Sequence, residues 1–234
     1  MSDFENASEN QLLSALPLDV CEQLLTSSKE IYLTSGQIIH KYNEEILDVY
    51  FPLTAVISSV MKMSNGSSSE VALIGREGLV GLPAIFGSTL STSNSVVQIS
   101  GTAISISIQA LKTEFQKGEE LQQLLLLYTQ AYIAQISHIA ACNSLHSVEQ
   151  RFARFLLLVS HCADCEIFYL TQKLISLLLG VRRASITETA ISLQSRNIIK
   201  YSRGKIEIVD RSKLEAIACE CYGKIQSDYF GFLR

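Results

Sequence analysis

Long uninterrupted apolar runs are missing from this chain: none exceeds about five residues, against the roughly 18 that a membrane-spanning helix needs. The opening MSDFENASEN carries acidic residues where a secretory leader would carry basic ones. Charge is scarce too, with Asp, Glu, Lys and Arg making up 18% of 234 residues while apolar residues make up 47%. A sequence of that balance has surface to bury, some of it against a partner, and is unsuited to disorder. Six cysteines, Cys21, Cys142, Cys162, Cys165, Cys219 and Cys221, are too sparse for a disulfide scaffold at this length. Together these absences predict a cytoplasmic globular protein with no membrane partner.

Catalytic signatures are lacking as well. No Gly-x-Ser-x-Gly elbow, His-Glu-x-x-His pair or Walker segment occurs, and four scattered histidines offer no base and nucleophile pair. Gly75, Gly78 and Gly81 in GREGLVG are not followed by Gly-Lys-Ser/Thr, so they read as turns and not as a phosphate loop. Glu44 and Glu45 lie beside an expected turn and read as solvated. No enzyme, cofactor or metal is expected. His161, Cys162 and Cys165 make half of a metal site at most, and Cys219 and Cys221, two apart on an expected helix, would stand about 200° apart around its axis. The cysteines read as small buried hydrophobes, and His138 and His146 as helix-packing residues.

What charge there is falls unevenly. Residues 1–140 hold six Lys and Arg against fourteen Asp and Glu, and residues 141–234 hold thirteen against nine. A front of net −8 thus precedes a back of net +4, and from Phe168 to Lys213 nine basic residues accompany three acidic ones. This polarity suggests a sensing or assembly part joined to an anion-binding part. From Lys29 to about Ile108 short segments with an apolar period near two, such as Ile31–Leu33, Val49–Leu53 and Ala103–Ile108, predict an antiparallel β roll. Ser64-Asn65-Gly66-Ser67 predicts an Asn-Gly hairpin turn between two strands, since both residues tolerate positive φ. After Gly118, Leu121, Leu125, Tyr128, Tyr132, Gln135, Ile139 and Cys142 recur at spacings of four and three, the seam of a long helix and the expected dimer interface. Leu124, Leu127, Ala131 and Ala134 add a second apolar stripe, so the helix is expected to pack on its own roll and on another helix at once, which a symmetric dimer would satisfy; a central core helix in a monomer is the alternative.

Ser147 to His161 reads as a helix with Val148, Phe152, Phe155, Leu156 and Val159 inward, followed by a short strand from Ile167 to Leu170. Thr171 is suited to cap a helix over Gln172 to Leu179, and Gly180 to close it. A second helix starts near Arg182 with Ile186, Ala190 and Leu193 inward. Ile198–Tyr201 and Ile206–Val209 then flank a basic turn, Ser202-Arg203-Gly204-Lys205, and a last helix runs from Ser212 past Cys221 to Tyr229. Two helices joined by a short Gly-containing turn and followed by a basic-tipped hairpin describe a winged helix-turn-helix. In that frame Arg182, Arg183, Ser185, Thr187 and Glu188 are the base readers, since a guanidinium can bond guanine O6 and N7 together. Thr171, Gln172, Lys173, Arg203 and Lys205 are the phosphate contacts, which set register without reading sequence.

With TQKLISLLLGVRRASITETAISLQSRNIIKYSRGKIEIVD at residues 171–210, this order of parts resembles the cyclic AMP receptor protein/FNR (CRP/FNR) superfamily of bacterial transcription regulators. HSVEQRFARFLL, LGVRRASIT, YSRG and LEAIACECY are its most specific segments. The resemblance implies an α+β chain in three parts: a cyclic-nucleotide-binding-like β-roll (jelly-roll) sensor domain over residues 1–112, a long dimerisation helix over 113–145, and a winged helix-turn-helix DNA-binding domain over 146–234. It also implies a homodimer that sets two recognition helices in successive major grooves of double-stranded DNA, with RNA polymerase as a candidate partner. Members that bind cyclic nucleotides carry a Gly-Glu-Leu segment and then an Arg-Ser or Arg-Ala pair. Here the corresponding stretch is Gly81-Leu82-Pro83, and no Lys or Arg occurs between Arg76 and Lys112. Burying a phosphate without a cation is costly, so no response to cyclic nucleotide is expected. The iron–sulfur branch needs clustered thiolates, and only Cys21 precedes the long helix. Members that read TGTGA-like half-sites carry Arg-Glu and a further Arg one turn on; Arg183, Ala184 and Glu188 at those positions imply a different operator.

A competing reading makes the roll the working part, a ligand-binding or protein-interaction module with a degenerate winged domain. The apolar, Ser-lined stretch from Leu79 to Ser95 motivates it, with Leu79, Gly81, Leu82, Thr92 and Ser93 lining a pocket for an unknown neutral or apolar effector. Turn, hairpin and local charge agree on the regulator, which is therefore the first expectation.

Overall fold

The computed structural model describes residues 7–233. Two short helices, α1 (Gln11–Ser14) and α2 (Leu18–Leu25), lead into seven strands. These are β1 (Ser28–Leu33), β2 (Ile38–His40), β3 (Asp48–Pro52), β4 (Val56–Lys62), β5 (Ser68–Ile74), β6 (Asn94–Ile99) and β7 (Gly101–Ser107). They pair antiparallel into two sheets, ordered β1-β7-β3 and β2-β6-β4-β5. Leu33, Ala55, Ile57, Ile74, Val97 and Ala103, from both sheets, form one buried cluster inside the roll. The period-two pattern fails in β4, where Val56 through Val60 are all buried. Ile57 lies in the roll interior, whereas Val56 and Val60 join the larger core shared with the helices, so both faces of this strand are covered.

The expected Asn-Gly turn joins β4 and β5, in a form looser than a two-residue hairpin. Only Gly66 takes a positive φ, 84°, while Asn65 Oδ1 accepts the Ser67 amide at 2.9 Å. An Asx-stabilised loop replaces the two-residue hairpin because the side chain supplies a hydrogen bond that the left-handed pair would otherwise have to make.

After α3 (Ile108–Phe115) comes α4 (Glu120–Leu145), 26 residues long, so residues 113–119 of the expected dimerisation segment belong to the end of α3 and a turn. The expected dimer seam faces inward. Leu121, Leu125, Tyr128, Gln135, Ile139 and Cys142 are buried by their own chain, and Tyr132 is largely so. Gln135 clamps β5, donating to Leu73 O and accepting from Leu73 N, both at 3.0 Å, and Tyr128 donates to Leu79 O at 3.1 Å. A heptad pattern identifies an apolar stripe without saying what covers it, and this helix has two. By length and composition α4 could cross a membrane, yet its inner stripe is packed on the roll. Leu126, Leu127, Gln130, Ile133, Ser137 and Ala140 remain exposed on the opposite side, with no charge among them.

Helix α5 (Val148–Ala163) opens with a capping box in which Ser147 Oγ accepts the Gln150 amide at 3.3 Å and Gln150 Oε1 accepts the Ser147 amide at 3.0 Å. From Arg151 to Ser160 every residue is buried, although only one face was expected inward. Roll and C-terminal elements cover it from different sides. Those elements are β8 (Ile167–Tyr169), α6 (Gln172–Leu179), α7 (Arg183–Ser195), β9 (Ile199–Ser202), β10 (Lys205–Ile208), α8 (Arg211–Ile217) and α9 (Cys221–Asp228). The last helix is therefore two. Ala218 is extended, at φ −60° and ψ 150°, so Cys219 and Cys221 do not share one helix. At this break the two side chains are no longer held about 200° apart around one axis, and both are buried with Cys142.

Candidate nucleic-acid interface

Local chemistry shapes α6 and α7 as the sequence suggests. Thr171 Oγ1 accepts the Leu174 amide at 3.2 Å at the start of α6, and Gly180, at φ 62°, takes the left-handed conformation that ends it. Arg182 is extended at φ −67° and ψ 142° and precedes α7 with no side-chain cap, so no side chain covers the positive end of the helix dipole. Ile186, Ala190 and Leu193 are buried and fix the face that α7 presents outward. The wing is a three-stranded sheet, β8-β10-β9, with Lys205 opposite Ser202 and Ile206 opposite Tyr201. Its tip places Arg203 and Gly204 at φ 49° and 85°, the twist that a two-residue hairpin turn requires.

Thr171, Gln172, Lys173, Arg183, Tyr201, Arg203 and Gly204 surround a concavity of about 450 Å³. The cations nearby divide into two groups. Arg196 pairs with Glu149, Lys200 with Glu207 at 2.8 Å, Arg211 with Glu166 at 2.8 Å and Lys213 with Asp210 at 2.9 Å. Lys173, Arg182, Arg183, Arg203 and Lys205 are exposed, and no described carboxylate pairs with any of them. Unpaired cations keep their full field for an incoming anion, and three of the five border the concavity.

Not every expected contact is free. Thr187 Oγ1 lies 2.8 Å from Gln172 Oε1 and 3.1 Å from Arg183 O. Its single proton is spent inside the motif, tying α7 to α6, so toward a base Thr187 can only accept. Ser185 is half-buried in the first turn of α7, and Glu188 is exposed where it could accept from a cytosine amine. Tyr201 was not singled out by sequence. Its hydroxyl donates to Leu170 O at 2.6 Å and its amide to Gln194 Oε1 at 2.9 Å. Burial pushes that hydroxyl up to about 12, with Arg183 pulling the other way, so it remains a neutral donor beside the guanidinium. The available signal was its inward position two residues after Ile199 in an alternating strand.

The five residues expected around an effector do come together in the roll. Leu79, Gly81, Leu82, Thr92 and Ser93, with His40 and Tyr132, line a cavity of about 20 Å³, room for one water. No Lys or Arg lines it, and burial holds His40 below its ordinary value. Elsewhere, Cys162 is buried beside Glu77, 4.0 Å from its carboxylate, while Cys165 is exposed and lies 3.2 Å from Ile167 O. His161 packs on the Phe230 ring with centroids 4.1 Å apart.

Residues 150–217 match the Crp-like helix-turn-helix domain. The chain carries a Crp-like helix-turn-helix domain and has the fold of CRP/FNR transcription regulators. A CRP/FNR-family transcriptional regulator from Eubacterium rectale superposes with a TM-score of 0.67 at 19% identity, over 90% of this chain and 98% of that one. FixK2 from Bradyrhizobium japonicum superposes with a TM-score of 0.70 at 16% identity, over 82% of this chain and 98% of its own. A CRP-family regulator from Thermus thermophilus gives 0.68 at 13% identity, over 80% and 96% of the two chains. At these identities the likeness is one of fold. No curated protein matches the sequence. The Crp-like match spans α5 through α8, so the concavity and its unpaired cations fall within it.

Proposed function

We propose that the protein is a sequence-specific, homodimeric transcription regulator that docks α7 in the DNA major groove and does not answer to cyclic nucleotide. The segregation of Lys173, Arg182, Arg183, Arg203 and Lys205 as unpaired cations around the starts of α6 and α7 and the wing tip carries this reading. Arg182, Arg183, Ser185, Thr187 and Glu188 are the base readers in it, Thr187 as an acceptor only, and Thr171, Gln172, Lys173, Arg203 and Lys205 hold phosphates. Residues 1–112 act as the sensor domain, 113–145 as the dimerisation segment and 146–234 as the DNA-binding domain, with no catalytic role assigned and the cytoplasm as its place of action.

The dimer forms on the outer side of α4, through Leu126, Leu127, Gln130, Ile133, Ser137 and Ala140, because an uncharged, largely apolar strip from Leu126 to Ala140 is poorly suited to water. The roll cavity, with room for a single water and no cation, supports the absence of a cyclic-nucleotide response. A gel-shift series on genomic fragments tests the reading. A specific site should emerge, with log affinity falling against log salt by about 0.9 for each phosphate neutralised. Equal affinity for random duplex under all conditions would overturn it.

A further inference from the structure

A cluster of metal-ligating side chains lies away from the DNA-facing surface, at the elbow between α4 and α5. Cys142 sits in the last turn of α4 and His146 caps that helix four residues later, so both project from one face. Cys219 and Cys221 reach the same point from the break between α8 and α9. One ligand atom from each of the four residues lies within 4.8 Å of the other three, with Cys142 Sγ 3.3 Å from Cys219 Sγ and Cys221 Sγ 3.7 Å from His146 Nδ1. Around a tetrahedral zinc, with bonds of about 2.3 Å to sulfur and 2.0 Å to nitrogen, neighbouring ligand atoms stand roughly 3.5 to 3.8 Å apart. Four donors this close fit one ion and leave no space for the bridging sulfides of an iron–sulfur cluster.

Two surrounding features point the same way. His146 Nε2 faces Glu220 Oε2 at 3.2 Å, the carboxylate contact that fixes a ligating imidazole and turns its other nitrogen to the metal. Arg154 is the largest fully buried side chain, and its Nε and Nη1 find no hydrogen-bond partner among the described residues. Its charge acts on all three thiols of the cluster. Three thiolates and one divalent cation carry a net −1, which this guanidinium offsets.

We propose that Cys142, His146, Cys219 and Cys221 bind one zinc ion per chain, joining the end of the long helix to the last two helices of the DNA-binding domain. Four protein ligands leave no open position, which makes the site structural and not catalytic. On binding, each thiol still protonated gives its proton to solvent, sulfur lone pairs form the zinc bonds, and no electron changes hands. The ion cross-links positions that are far apart in sequence and sets the angle at which the Crp-like domain leaves α4.

The test uses the full-length protein, purified reduced, and does not depend on DNA binding. Elemental analysis should find one zinc per chain. Exchange for Co²⁺ should give the visible absorption of a tetrahedral thiolate site, and three thiols should resist a thiol reagent until a chelator is added. Cys142→Ser and Cys219→Ser should lose the metal, while Cys165→Ser should load fully. Should the serine variants fail to fold, the cobalt spectrum and thiol protection of the wild type still decide. Reduced wild type that takes up neither ion, forms a Cys142–Cys219 disulfide on exposure to air with no metal released, or loads equally as Cys142→Ser would overturn the proposal.

Discussion

Arg183 borders the concavity beside Tyr201, without a carboxylate partner, and a guanidinium so placed can meet two acceptors of one guanine. Arg183→Ala should cost about 1 to 3 kcal/mol on the preferred site and relax selectivity at one base pair, measured by competition with single-base operator variants. Lys173→Ala should instead weaken all duplexes alike and lower the salt slope by about one per protomer, measured by titration at several salt concentrations. Glu70 makes a different prediction. It is buried, accepts from Ser58 Oγ at 2.5 Å, and has its carboxyl raised to about 7 by burial, which outweighs both Ser58 and the neighbouring Arg154 charge. A raised carboxyl binds a proton more tightly folded than unfolded, so stability is fullest below the unfolded value near 4.5 and declines as pH rises to about 7. Denaturation midpoints between pH 5 and 8 should follow that decline in the wild type and change less in Glu70→Gln.

At the scale of elements, α4 has one apolar stripe covered by its own chain and a second left exposed. Gln135 satisfies both polar groups of Leu73 on the inner side, so Gln135→Leu leaves a buried amide and carbonyl unpaired and should cost about 1 to 3 kcal/mol in denaturant unfolding. Leu127→Glu with Ile133→Glu alters only exposed positions. Sedimentation should show the proposed dimer split by that pair with the fold of each chain retained; a variant that remains dimeric would send the interface elsewhere. Sequence was informative here up to a limit. Thr171, Gly180 and the Arg203-Gly204 tip were legible because caps and tight turns are decided by neighbours in sequence. The covered side of α4 was not, since Leu121 to Cys142 and Leu126 to Ala140 are both plausible apolar faces until the roll chooses one.

Across the whole molecule, the roll and α5 finish the first helix of the DNA-binding motif. The terminal carbonyls of α6 have no partners within that helix. Ser176 O accepts from the Val181 amide at 3.0 Å, Leu177 O from Ser68 Oγ at 3.1 Å, Leu178 O lies 3.5 Å from Ser69 Oγ, and Leu179 O accepts from buried Arg151. A change in the β4–β5 hairpin therefore acts directly on α6, which is a physical route from the roll to the helix-turn-helix. Replacing Ser68 and Ser69 together by Ala should weaken this joint by about 1 to 3 kcal/mol. Hydrogen exchange in α6 should quicken while α2 is unchanged; equal protection of α6 would sever the link.

Residue order alone determined the strand spacing of the roll, the capped ends of α6, the type of turn at the wing and the charge that gathers there, because each depends on sterics and hydrogen bonds within a few residues or on simple composition. Tertiary structure decided which stripe of α4 is covered, that the final helix breaks at Ala218 and brings Cys219 and Cys221 to Cys142 and His146, and that serines of the roll close α6. Those outcomes turn on which distant groups share space, and packing alone sets that.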